Sequence, residues 1–117
     1  MEEDFAKFLP LSPAALHILL ALAGEDRHGY GIMQEVARQS DGRYKLGPGT
    51  LYDNLEKLLN EGVVEECARR SSADDPRRRY YRLTGFGLRL LGTEITRLEG
   101  VVREARFHLK VRPERAG

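Results

Sequence analysis

The chain has no tryptophan, one cysteine and three histidines among its 117 residues, and each shortage excludes something. Cys67 alone can neither close an internal disulfide nor supply a CxxC metal site, which leaves a packing residue on a strand or an isolated redox-sensitive thiol. His17, His28 and His108 are far apart and suggest no metal cluster. His17 falls in the most apolar segment, where a core or interface role suits it better than that of a catalytic base. No nucleophile motif, phosphate loop or clustered carboxylate pair occurs, and Glu65 and Glu66 on a strand would face opposite ways. Neither catalysis nor a cofactor is therefore expected. No apolar run approaches the roughly 18–20 residues that span a bilayer; the longest, Ala14 to Ala23, is interrupted by His17. With no charged-then-apolar leader, a cytoplasmic location and no membrane partner are expected.

Net charge is scarce too, at +1, but its distribution is uneven. Arginines 69, 70, 77, 78, 79 and 82 stand against Asp74 and Asp75 alone, a local balance of +4 in a chain whose remainder is slightly acidic. Such a local basic block fits a phosphate-contacting element. A solvated hairpin would have the same composition.

What is present is patterned. Ser12-Pro13 reads as a helix start, and the helix runs through Leu16, Ile18, Leu19 and Leu22 to Gly24. It is apolar on most of its circumference and belongs at the centre of the fold. After a polar connection, Glu25 to His28, a second helix spans about Gly29 to Ser40, with Tyr30, Met33, Val36 and Ala37 as the expected buried face. A glycine- and proline-rich turn from Lys45 leads to a third helix, about Pro48 to Glu61, with Leu51, Leu55 and Leu58 inside and Thr50, Asp53, Asn54 and Lys57 on other faces. The period then changes. Val63 to Arg69 and Arg77 to Leu83 read as two strands, the second with Tyr81 and Leu83 on one face and Arg78, Tyr80 and Arg82 on the other. Residues 70 to 76 have the composition of a flexible hairpin tip. Three helices followed by a basic two-stranded hairpin is the order of a winged helix-turn-helix, a mainly α fold with a small β wing.

From Thr84, a candidate N-cap, to about Lys110 the apolar residues Leu88, Leu91, Ile95, Leu98, Val102, Ala105 and Leu109 alternate three and four apart, a heptad seam. Gly87, Gly92 and Gly100 weaken this helix by about 0.8–1 kcal/mol each relative to alanine. A helix so marginal and so long is expected to need a partner, which makes a homodimer the simplest solution; folding back onto its own domain is the alternative. The expected organisation is a DNA-binding domain over 1–83 with an N-terminal arm over 1–10, a dimerisation helix over 84–110, and a disordered tail over 111–117. Phe5 and Phe8 in the arm are expected against the last helix of one or other subunit.

Several segments together resemble the PadR-like transcriptional regulators, over about residues 9–105. They are Leu11-Ser12-Pro13-Ala14-Ala15-Leu16, His28-Gly29-Tyr30-Gly31-Ile32, Leu46-Gly47-Pro48-Gly49-Thr50-Leu51-Tyr52, Leu55-Glu56-Lys57-Leu58, Glu61-Gly62-Val63-Val64, Arg79-Tyr80-Tyr81-Arg82-Leu83-Thr84 and Gly87. The resemblance implies a small one-component regulator, usually a repressor, dimerising through its first and last helices. It places Thr50 and Tyr52 where the recognition helix meets DNA, and Arg77 to Arg79 on the wing. Asp53 departs from the neutral residue common at its position, so base preference does not carry over.

The chemistry suggests a division of labour on an inverted-repeat duplex site. Lys45, Tyr52, Lys57 and the wing arginines Arg70, Arg77 and Arg78 suit phosphates, whereas Thr50 and Asn54 suit base edges. Tyr52 packed under the wing and Asn54 as a plain solvated residue are the bland alternatives. Not all six arginines can face DNA; Arg79 and Arg82 could instead form ion pairs that hold the domain. Relatives also respond to small molecules at the dimer interface, and His17, Tyr30, Met33 and Phe86 are the candidate effector pocket, although a filled core would use the same residues. A winged helix that binds another protein rather than DNA is the rival function.

Overall fold

The computed structural model describes residues 4–68 and 78–111. The order of elements is a 3-10 turn (Ala6–Phe8), α1 (Pro13–Gly24), β1 (Arg27–His28), α2 (Gly29–Gln39), α3 (Pro48–Asn60), β2 (Val64–Cys67), β3 (Tyr80–Leu83) and α4 (Gly85–Val111). The three strands form an antiparallel sheet in the order β1-β3-β2. This is a winged helix-turn-helix with a long last helix. Arg69, Arg70, Arg77, the hairpin tip and the tail from residue 112 lie outside the described residues.

The Ser12 hydroxyl accepts from the Ala15 amide and Pro13 needs no partner, so α1 starts as its sequence dictates. Its Ile18, Leu19 and Ala21 are fully buried and meet Ile32 and Val36 of α2, Leu51 and Leu55 of α3, and Leu90 of α4 in one core. Gly42 and Gly62 take positive φ where α2 and α3 end, a conformation that costs glycine least.

Two expectations need correction. The buried stripe of α2 is Gly29, Ile32 and Val36 with Met33 half-buried; Tyr30 and Ala37 are exposed. The connection before α2 contains a strand, and pairing of His28 with Tyr80 across it buries Tyr80, although alternation alone puts that ring on the arginine face. Two residues are too short to show a period.

α4 begins as expected at Thr84, whose hydroxyl accepts from the Gly87 amide and donates to the Gly62 carbonyl. Gly87 is required by packing: a Cβ there would run into the Val63 carbonyl. Glu94, three residues before Arg97 on this helix, is buried at 1% exposure. Its carboxylate accepts from the Leu11 amide at 2.9 Å and from Arg97 at 2.6 Å, joining the arm to α4. Arg97 foremost, and the Leu11 amide, hold the carboxyl below its ordinary range against the opposing effect of burial. Beyond Ile95 the helix leaves the body, and residues 101–110 are all exposed.

Candidate nucleic-acid interface

α3 starts at Gly47-Pro48 without a side-chain cap, so its first amides are left open, as suits an approaching anion. With Leu51, Leu55 and Leu58 buried, Gly49, Thr50, Tyr52, Asp53, Glu56 and Lys57 are left exposed. Tyr52 leans towards α2, where Gly29 lacks the Cβ that would strike its phenol. Together with His28, Tyr30, Arg78, Arg79 and Tyr81 these residues line a groove of about 300 Å³ between the two helices and the base of the wing.

The groove's chemistry is that of an anion cradle with aromatic walls. The His28 Nδ1 caps α2 by accepting from the Gly31 amide at 3.1 Å. Arg78 Nη1 lies 3.1 Å from the His28 Nε2, so the two side chains meet at the mouth of the groove. On its floor, burial first and then the neighbouring Tyr52 and Glu66 push the Tyr81 phenol up, so it stays neutral.

The arginine block divides. Arg79 pairs with Glu66 at 3.2 Å and Arg82 with Glu65 at 2.8 Å, which tie β3 to β2 and spend those two charges inside the sheet. Among the described residues, Arg78 has no carboxylate partner.

Other candidate residues are dispersed. Lys45 is exposed in the loop before α3. Asn54, the expected base reader, donates its amide to the Thr50 carbonyl at 2.8 Å and is half-buried facing the N-terminal arm, as is the cavity that Lys57 lines. The four effector candidates do not converge. His17 stacks on Tyr44 at 4.3 Å with its Nδ1 buried and, among the described residues, without a hydrogen-bond partner, while Phe86 packs against Phe5 and Phe8 of its own chain. Tyr30 belongs to the wing groove, and Met33 is half-buried on α2. Of the heptad residues, Leu91 lies in the subunit's own core, Ile95 and Leu98 are half-buried, and Leu88, Val102, Ala105 and Leu109 are exposed. Sequence reasoning missed His28 as a cap, Gly29 as the seat of Tyr52, and Tyr81 as the floor. The signal available was the run His28-Gly29-Tyr30-Gly31.

A compact helical core with an open-ended third helix, flanked by a basic wing base, defines a winged helix-turn-helix DNA-binding protein. The comparisons agree. The model of the transcriptional regulator PadR-like family matches residues 18–93. A transcriptional regulator of Mycobacterium tuberculosis, Rv3488, is 35% identical over 89 residues, 76% of this chain and 78% of that protein. Among solved structures, a PadR-like transcription factor from Bacteroides fragilis shares 29% identity at a TM-score of 0.61, covering 81% of this chain and 87% of that one. A PadR family transcription regulator from Clostridium difficile shares the fold at a TM-score of 0.67 with 23% identity, over 84% of this chain and 99% of its own. The chain belongs to the PadR-like family of transcriptional regulators, which are not enzymes.

Proposed function

We propose that the protein is a dimeric repressor that binds inverted-repeat duplex DNA in the cytoplasm and is released by a small-molecule effector. The observation that carries this reading is the groove lined by Tyr52, His28 and Arg78, with Tyr52 one turn from the uncapped N-terminus of α3. It offers donors for a phosphate strand beside a helix end that can enter the major groove. The acidic Asp53 and Glu56 on the exposed side of α3 oppose a deep, side-on approach, so the helix engages through its first turn, with Thr50 foremost. Arg70 and Arg77 extend the phosphate contacts along the wing, and Lys45 adds one ahead of α3.

Dimerisation rests on α4. Leu88, Val101, Val102, Phe107 and Leu109 are 48–78% exposed on this one helix, an apolar surface that water does not favour. Pairing of Ile95, Leu98, Val102, Ala105 and Leu109 across a two-fold axis covers Val102 and Leu109 and suits half-sites about 34–36 Å apart. Repression is the outcome that occupancy of an operator produces by itself. Affinity for random and palindromic duplexes at several salt concentrations tests the reading: salt-sensitive binding by the dimer supports it, and indifference to DNA even at low salt contradicts it.

A further inference from the structure

Asp53 stands at the centre of the exposed face of α3. At about 100° per residue it lies about 170° round the helix from the mean direction of the buried Leu51, Leu55 and Leu58. Thr50 comes one turn before it and Glu56 one turn after, and both are exposed. Lys57, four residues on, has the spacing that would neutralise a carboxylate there. Among the described residues, however, Asp53 has no ion pair and no side-chain hydrogen bond, with Lys57 or with any other group. Asn54 does not share this face, because it is half-buried and donates its amide to the Thr50 carbonyl at 2.8 Å. The face that α3 turns outward therefore carries an unneutralised carboxylate at its middle.

A carboxylate carried towards a duplex is repelled by the phosphates and by most of the major groove, where guanine O6 and N7 and thymine O4 are all acceptors. Two donors are available to it. Adenine N6 lies between the acceptors adenine N7 and thymine O4, whereas cytosine N4 has an acceptor neighbour on one side only. We propose that Asp53 is the specificity-determining residue of α3, accepting from the N4 amino group of one cytosine in each half-site. This rests on the reading of α3 as the helix that enters DNA. Entry by the first turn brings Asp53 to the base edges and leaves Glu56, a turn further back, at the rim of the groove. The wing supplies affinity, and Asp53 withholds it from sites that set an acceptor against the carboxylate.

The test is selection of duplexes from a randomised library by the full chain and by Asp53→Ala and Asp53→Asn, followed by affinity measurements on the selected sites. Wild type should return a fixed cytosine in each half-site. Replacing that cytosine by an analogue without the 4-amino group should weaken wild-type binding about tenfold and leave Asp53→Ala unaffected. Asp53→Ala should also lose the preference at that position and bind random duplex several-fold more tightly, since a repelling charge is gone. Asp53→Asn should shift the preference to adenine, whose N6 and N7 suit an amide. Both variants alter an exposed, unpaired side chain, and circular dichroism should confirm an unchanged fold. A wild-type selection without the cytosine, or an Asp53→Ala selection identical to it, would overturn the proposal while leaving DNA binding in place. Failure of every protein to bind any duplex at low salt would instead sink the DNA reading, and this assignment with it.

Discussion

The phenol of Tyr52, one turn into α3, rests against Gly29, the first residue of α2, where any Cβ would strike it. One glycine thus sets the position of an aromatic side chain that is 49% exposed and walls the wing groove. Gly29→Ala should displace that ring while leaving the core intact, because the obstructed atoms are the far end of a side chain. We expect DNA affinity to fall about tenfold, equivalent to about 1.4 kcal/mol, with little change in the urea midpoint. Tyr52→Phe should lose less, since the ring stays and only the hydroxyl goes. Fluorescence anisotropy with a labelled duplex checks both.

Gly87 obeys the same logic with less room to yield. A Cβ there meets the backbone carbonyl of Val63 rather than a mobile side chain, so Gly87→Ala should lower global stability by about 1–3 kcal/mol in urea titration, as overpacking does. DNA affinity measured on the folded fraction should be less affected.

Buried Glu94 secures the arm. Glu94→Leu leaves the Leu11 amide without its acceptor and should cost about 1–3 kcal/mol, whereas Glu94→Gln keeps an acceptor oxygen and should cost less. Arg97, 41% exposed, is not stranded by either change. Denaturant titration of the two variants, with limited proteolysis of the arm, separates them.

Acid should unfold the protein through two paired carboxylates. Glu35 is lowered from 4.5 to about 2, chiefly by its hydrogen bond to Arg38, with Arg27 and Gln39 assisting against burial; Glu94 is lowered in the same sense. A depressed carboxylate stabilises the fold fully above its unfolded value and loses that contribution as pH falls through its folded one. Tm should therefore be flat from neutrality to about pH 5 and decline from about 4.5 towards 2. Glu35→Gln should lower Tm at pH 7 and make the acid decline shallower; an unchanged pH profile would contradict the assignment.

The exposed apolar residues of α4 should hold the dimer. Val102→Glu and Leu109→Glu are expected to shift sedimentation towards monomer while circular dichroism keeps its helical signal, since neither residue touches the core. Operator affinity should fall with dimerisation.

Much of the architecture was legible because long elements repeat their signals. Ser12-Pro13, the leucines of α3 and the Thr84 cap each state a helix boundary or a buried face in residues that occur close together. The site was less legible because its parts meet across the chain. β1 is two residues long and has no period, and the burial of Tyr80 depends on it. The rotation of α2 that exposes Tyr30 follows from close packing at Gly29, which a count of apolar spacings does not see. Asn54 has the amide that adenine recognition uses, but only the fold turns it back onto the Thr50 carbonyl. The arginine block could be divided in sequence, with Arg79 and Arg82 as the candidates for ion pairs, but their partners Glu66 and Glu65 are set by strand register and were not legible.

The most direct test is the salt dependence of binding to a random duplex by the wild type and Arg78→Ala. A phosphate contact made once per subunit is lost twice per dimer, so the slope of log affinity against log salt should become shallower by about 2. Arg82→Ala, which breaks only a pair within the sheet, should leave the slope unchanged. An equal slope for wild type and Arg78→Ala, or no binding of duplex even at low salt, would contradict the assignment of the wing groove to DNA.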